Sequence, residues 1–143
     1  MKSKNSKIAV NIILLLSFIL ALISWKDNLT IHIIGGIAFA LISTYHVFLN
    51  RKWLLSVSKT FKAGKPSKRM KWQYIIDLLL VVVWSITILS GLLTIGLAVR
   101  ENEDLLVFSR FHNISSKLGC FLIIVHIFQH RKQISSYFKR KKM

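Results

Sequence analysis

Five histidines stand in or beside the long apolar stretches of this 143-residue chain: His32, His46, His112, His126 and His130. An ionisable side chain within a segment that could cross a membrane is costly, so each is a functional candidate. His32 and His46 are fourteen residues apart, and His112 and His126 repeat that spacing. Fourteen helical steps come within about 40° of four full turns, so both histidines of a pair face the same way, about 21 Å apart along the axis.

These paired imidazoles predict two six-coordinate haem irons. Neutral imidazole is a common axial ligand of haem iron, and a second axial ligand closes the site to oxygen and favours electron transfer. If the two histidine-bearing helices face each other, His32 and His112 ligate the iron of an outer haem, and His46 and His126 that of an inner one. No catalytic residue is expected.

Other polar residues near the pairs have two interpretations each. His130 lies one turn beyond His126; it either replaces His126 as the inner ligand or is an interfacial side chain, which we favour. Arg51 and Arg131 each follow an inner histidine by five residues, where they either pair with haem propionates or anchor helix ends. Asp77 is either a proton-exchanging group of a quinol site or an exposed interfacial acid among lysines, and we expect the latter.

Small residues recur on the predicted helices, either to leave room for a macrocycle or to allow close helix packing. They are Gly35, Gly36, Ser115 and Ser116 after the outer histidines, Ser17, Ala21 and Ser24 before the first pair, and Thr87, Gly91, Thr94 and Ala98 before the second. Cys120, the only cysteine, is expected to be a small packing residue.

The elements that must position the histidines are four long apolar blocks, each near the roughly 20 residues that a helix needs to span a bilayer. They predict helices at about 8–25, 29–53, 72–99 and 111–133, separated in the middle by a basic loop, 51–71. Barrel strands would alternate polar and apolar residues, and these blocks do not. The sequence therefore predicts an all-α membrane protein, a four-transmembrane-helix bundle forming a single domain over residues 1–143.

The two halves of the chain resemble each other. Sliding His32 onto His112 also superposes His46 on His126, and the segment 46–52 (HVFLNRK) then matches 126–132 (HIFQHRK) at His, Phe, Arg and Lys. Since each half is a helical hairpin, we expect two parallel hairpin repeats.

Charge is sorted between the apolar blocks. The formal net charge is +16, and most of the 21 lysines and arginines lie in the N-terminus, the central loop and the C-terminal tail. Because cytoplasmic loops accumulate Lys and Arg, both termini and the loop 51–71 are predicted to be cytoplasmic, in a multi-pass protein of the cell (inner) membrane. Membrane lipid is the expected partner of this charge. Nucleic acid is not, because it would require a basic face on a soluble domain.

The paired histidines, the four predicted helices and the segment His46-Val-Phe-Leu-Asn-Arg-Lys-Trp53 resemble a small bacterial family of cytochrome b561-like membrane proteins, formerly a domain of unknown function and associated with flavinylated proteins. The resemblance implies two b haems, ligated by His32, His46, His112 and His126, and electron transfer across the membrane. It favours a flavinylated extracytoplasmic redox protein as acceptor. We expect a donor on the inner side, with quinol as a candidate.

Two other function classes compete with a dihaem protein. One is a membrane protein that binds or transports metal with its histidines; such sites usually cluster several ligands with a carboxylate, and no acid is expected near either pair. The other is a non-redox assembly protein with incidental histidines. No nucleotide fingerprint or nucleophile–base pair is present. The chain is thus expected to be an electron-transfer protein or a membrane subunit of an oxidoreductase rather than a stand-alone enzyme.

Overall fold

A computed structural model describes residues 2–64, 66–98 and 105–139. These residues form four α-helices and no strand: α1 (Lys2–Ser24), α2 (Leu29–Lys62), α3 (Lys68–Ala98) and α4 (Leu105–Lys139). The predicted all-helical fold is confirmed for this part of the chain.

Each helix contains a segment long and apolar enough to cross a membrane. Among the described residues these segments are 6–24, 29–62, 68–98 and 106–132, with hydropathies of 2.4, 1.6, 2.5 and 1.4. Large apolar side chains cover their surfaces; Leu41 and Ile124, for example, are 69% and 68% exposed. Such surfaces are stable against lipid rather than water. The four helices fit a multi-pass membrane protein.

Three helices, α1, α3 and α4, begin before their predicted first residues, and α2 and α4 end beyond their predicted last ones. Most of the expected loop 51–71 is helical, because α2 continues to Lys62 and α3 already begins at Lys68. No glycine or proline interrupts residues 51–62, so the helix runs on through its basic residues. The break comes at Gly64, whose φ of 69° suits the residue after a helix end. Ser67 then caps α3 by accepting a hydrogen bond from the Met70 amide at 3.2 Å.

Contacts group the helices into two compact units, Met1–Lys62 (unit 1) and Ala63–Met143 (unit 2). In unit 1, α1 packs on α2 as an antiparallel hairpin around the buried residues Val10, Phe39 and Val57. Asn28 caps α2 by accepting a hydrogen bond from the Ile31 amide at 3.0 Å. The two helices of this hairpin approach closely at Gly35, where a methyl group would lie only 3.0 Å from the Ala21 backbone nitrogen.

Unit 2 is a second hairpin, with α3 packed on α4 around Val83 and Leu122. Thr87 and Ser90 are buried between the helices and donate to carbonyls of α3, those of Val83 at 2.9 Å and Thr87 at 3.1 Å. Hydroxyls satisfied within their own helix let two helices approach without unpaired donors. These residues support the close-packing interpretation of the small residues.

Each unit has an aromatic side chain packed between its two helices, but the pair of residues in contact differs. In unit 1 Phe18 of α1 meets Phe39 of α2, with ring centroids 5.7 Å apart. In unit 2 the Trp84 ring lies against Gly119, where a methyl group would be 3.0 Å from the indole. The larger ring on one helix is thus accommodated by the smallest residue on the other, as dense packing requires.

We predict that Gly35→Ala destabilises the α1–α2 hairpin whereas Gly36→Ala does not. The Gly35 methyl group would press on the Ala21 backbone, while a methyl group at Gly36 meets nothing within 4 Å. Overpacking costs about 1–3 kcal/mol, and both variants gain the same helix propensity, about 1 kcal/mol. Reversible unfolding in mixed micelles should therefore give Gly35→Ala a lower free energy of unfolding than Gly36→Ala. Equal stabilities would contradict the close approach.

Candidate functional site

The outer histidines, as we call His32 and His112 after the predicted topology, are oriented by backbone carbonyls of the preceding helix. The Nδ1–H of His32 donates to the Ala21 carbonyl at 2.7 Å, and that of His112 to the Thr87 carbonyl at 2.9 Å. A carbonyl oxygen only accepts, so Nδ1 must carry the proton in both rings. In the neutral imidazole this leaves the lone pair on Nε2, the nitrogen farther from the backbone.

The two carbonyls become acceptors in different ways. Ala21 lies in the last turn of α1, where carbonyls lack intrahelical partners. Thr87 lies in the middle of α3, and its carbonyl accepts from both His112 and the Ser90 hydroxyl. The His112 ring also lies against Gly91, where a methyl group would be 3.0 Å from Cε1 and Nδ1. Gly91 therefore makes room for the histidine ring itself.

The inner histidine of unit 1, His46, lies in a network of amides. Its Nδ1–H donates to the Asn11 side-chain oxygen at 2.9 Å. The Asn50 side-chain nitrogen donates to the His46 carbonyl at 2.9 Å and lies 3.4 Å from His46 Nε2. Lys7 in turn donates to the Asn50 oxygen at 3.2 Å. The ring is thus held by one neutral acceptor, the Asn11 amide oxygen, and again its lone pair is on Nε2.

The inner histidine of unit 2, His126, contacts an acid. Its Nδ1 lies 2.7 Å from Asp77 Oδ1, and His130 Nε2 lies 3.8 Å from the same oxygen. The two imidazole rings are 4.6 Å apart. The expectation of an exposed interfacial Asp77 is wrong, since its side chain is only 15% exposed. The expectation that no acid lies near either pair is also wrong, because the Asp77 carboxylate lies 2.7 Å from His126.

The four acceptors occupy matching places on α1 and α3. The step along the chain from Ala21 to Thr87 equals the step from Asn11 to Asp77. The sequence comparison missed this because Ala21 lies 11 residues before His32, whereas Thr87 lies 25 residues before His112. Aligning the two halves of the sequence on their histidines therefore misaligns α1 with α3. Asn11 and Asp77, each a single polar residue in an apolar run, were the signal that could have aligned them.

The arginines after the inner histidines also behave alike. The Arg51 guanidinium lies 4.1 Å from the Phe48 ring centroid, and the Arg131 guanidinium 3.9 Å from that of Phe128. Such cation–π contacts suit arginine at a membrane interface. Whether either arginine also pairs with a propionate stays a prediction.

Asp77, His126 and His130 also form a cluster with metal-ligand chemistry. One ligand atom from each lies within 4.8 Å of the others. Two imidazoles and a carboxylate suit zinc, iron, copper or nickel. In unit 1 the residues at matching positions are Asn11, His46 and Asn50, two of which are amides and poor metal ligands. Among the described residues, unit 2 therefore has a cluster suited to a metal ion, whereas the matching positions of unit 1 do not.

Comparisons of this chain with protein-family models, with curated proteins and with solved structures gave no match. The chemistry of the histidines and their oxygen partners is therefore the basis for assigning a function.

We predict the Nδ1–H tautomer for His32, His46 and His112 in the protein without haem. Free imidazole side chains favour the other tautomer, so the difference reports the hydrogen bonds to Ala21, Asn11 and Thr87. Ring ¹⁵N shifts of histidine-labelled protein in micelles distinguish the two forms. Asn11→Leu, which removes one acceptor, should change the tautomer of His46 and leave the tautomers of His32 and His112 unchanged. Nε2–H at the outer histidines would contradict the assignment.

Proposed function

We propose that this protein is a dihaem b-type cytochrome that carries electrons across the membrane. His32 and His112 are the ligands of the outer haem, and His46 and His126 those of the inner one. One observation carries the proposal: all four histidines direct Nδ1 at an oxygen on the preceding helix. His130, outside the two pairs, instead directs Nε2 at Asp77.

This arrangement is what axial ligands require. A metal-ligating histidine nearly always donates its second ring N–H to a carboxylate, a backbone carbonyl or a water, which fixes the ring and makes the other nitrogen a better donor. Carbonyls hold the outer histidines here, and an amide and a carboxylate hold the inner ones. The Asn50 side-chain nitrogen stands 3.4 Å from His46 Nε2. That distance is longer than a good hydrogen bond, so the amide can give way to iron.

The finer architecture is part of the proposal. We infer that the two units are an internal repeat of one helical hairpin. Supporting observations are the matching Nδ1 acceptors and the matching Arg51–Phe48 and Arg131–Phe128 pairs. We further propose that the protein lies in the cell membrane with both termini cytoplasmic, supported by the basic residues at both termini and at 51–71.

Electron flow is proposed to run outward. When bound, each haem iron supplies a one-electron couple between its ferric and ferrous states. The donor acts at the inner histidines, and membrane quinol is a candidate. A cavity of about 360 Å³ lined by Trp72, Phe128 and Arg131, among others, opens at that end of unit 2 and could admit an amphipathic donor. The acceptor acts outside, and a flavinylated extracytoplasmic protein is a candidate.

A direct metal site is the second candidate function, favoured by the cluster of Asp77, His126 and His130. It uses His126 in a different way, because the carboxylate and both imidazoles would share one ion. It assigns no role to the outer histidines or to His46. Haem ligation accounts for all four oriented rings, so we place it first.

We predict two low-spin b haems per chain. Replacing any one of His32, His46, His112 or His126 by Ala should lose or severely perturb one haem and largely spare the other, because each iron loses one axial ligand. His130→Ala should keep both. Haem extraction and reduced-minus-oxidised spectra of purified protein measure this. Full haem occupancy after His112→Ala would refute the assignment. A colourless protein that loses a bound metal ion on His130→Ala would support the second candidate instead.

We also predict electron transfer through the chain in oriented vesicles. With reductant confined to the compartment at the inner histidines, an impermeant acceptor on the other side should be reduced. His32→Ala should stop that transfer while leaving the inner haem reducible, because the two sites lie about 21 Å apart along the helices. Protein-free vesicles supply the background leak rate. Transfer at the normal rate by the His32→Ala variant would contradict a two-haem path.

A further inference from the structure

We infer that Asp77 is a positioning residue that lowers the midpoint potential of the inner haem by acting through His126. The inference rests on the proposed function, because it concerns a haem that His126 ligates. It goes further by making one of the four axial ligands chemically different from the others. It also assigns a role to an acid that a bis-histidine site does not itself need.

The four Nδ1 acceptors differ in kind. Ala21 and Thr87 offer neutral carbonyls and Asn11 a neutral amide, whereas Asp77 offers a carboxylate at 2.7 Å. A carboxylate is the strongest acceptor of the four and its hydrogen bonds are charge-assisted. It draws the Nδ1 proton toward itself and raises the electron density at Nε2. A more basic ligand favours the ferric state, which carries one more positive charge than the ferrous state.

Unit 1 is a natural control for this effect. At matching positions it has Asn11 where unit 2 has Asp77, and Asn50 where unit 2 has His130. The geometry toward the inner histidine is nearly the same, at 2.9 Å for Asn11 and 2.7 Å for Asp77. The two units thus differ at this point mainly in charge. Unit 1 even has a cation nearby, since Lys7 donates to Asn50 at 3.2 Å.

His130 supports the position of the carboxylate. Its Nε2 lies 3.8 Å from Asp77 Oδ1, and its side chain is 16% exposed. It thus approaches the carboxylate oxygen that His126 also contacts. Because 3.8 Å is longer than a hydrogen bond, its effect on His126 should be weaker than that of Asp77.

Other charges at this end act in the opposite direction and are common to every variant compared. Arg69, Arg131 and Lys132 border the cavity of unit 2, and cations near an iron favour its ferrous state. The inference therefore concerns the change in potential when Asp77 alone is altered, not the absolute potential. Lowering the inner potential favours passage of an electron from the inner to the outer haem, the direction proposed above.

The test exchanges the residues of the two units in the purified haem-loaded protein. Asp77→Asn copies unit 1, Asn11→Asp copies unit 2, and the double variant N11D/D77N moves the carboxylate from one inner ligand to the other. Each is titrated potentiometrically with dithionite and ferricyanide while the haem absorbance is followed. Each step is one electron taken by ferric haem from the reductant to give ferrous haem.

We expect Asp77→Asn to raise one of the two midpoint potentials, by about tenfold in the ferrous-to-ferric ratio, which is 59 mV for one electron. Asn11→Asp should lower the same potential, since His46 and His126 serve the same iron. The double variant should return it toward the original value. The other potential should not move in any variant. Asp77→Glu, which keeps the carboxylate, should leave this potential close to that of the unaltered protein. His130→Asn should change the potential less than Asp77→Asn does.

The outcomes separate this inference from the proposed function. Two haems with unchanged potentials in both single variants would overturn the inference and leave the dihaem assignment intact. A protein that binds no haem would instead remove the proposed function. If Asp77→Asn loses its inner haem, the Asn11→Asp variant decides, and an unshifted potential there would overturn the inference. A purely structural role for Asp77 would change haem occupancy without moving the potential in Asn11→Asp.

Discussion

The hydrogen bonds from the histidine Nδ1 atoms to oxygens on the preceding helix are the interactions on which the rest of the site depends. An imidazole in an apolar segment must satisfy its N–H inside the protein, because lipid offers no partner. In this protein the other helix of the hairpin supplies the acceptor in all four cases. The same bond that makes the ring tolerable in the membrane also fixes its tautomer and direction. Stability and ligand chemistry are therefore set by one contact.

Such contacts require the two helices of a hairpin to be close and in a fixed register. Gly35 brings α2 against the backbone of Ala21, next to the carbonyl that His32 uses. Gly91 leaves room for the His112 ring beside the Thr87 carbonyl. The Phe18–Phe39 contact and the Trp84–Gly119 contact use side chains of different size, but each packs the two helices of its hairpin together. Small residues thus allow close packing within each unit, which was one of the two interpretations from the sequence, and this packing positions the histidines.

The histidines and the helices could be predicted from sequence, because both depend on local patterns. An uncharged block of about 20 residues is enough to predict a spanning helix, and a spacing of fourteen places two rings on one face. The acceptors could not be predicted in the same way. Pairing Asn11 with His46 or Asp77 with His126 depends on the register between helices. The two halves conceal this register, because the acceptor lies 35 residues before its histidine in one and 49 in the other. The helix ends at the central connection were missed, because charged residues show where the apolar block stops, whereas Gly64 and Ser67 show where α2 ends and α3 begins.

The carbonyl of Thr87 has a mechanical consequence. It lies in the interior of α3 and accepts from two side chains, His112 and Ser90, and the residue one turn later is Gly91, which has no side chain to stiffen the backbone. Helices bend most readily at Ser–Gly pairs and where side chains compete for backbone acceptors. The corresponding bond in unit 1 uses Ala21, at the end of α1, where no helix continues to be bent. Of the two outer histidines, only His112 is therefore held by a point at which a long helix can flex, so bending α3 would tilt its ring while His32 kept its direction.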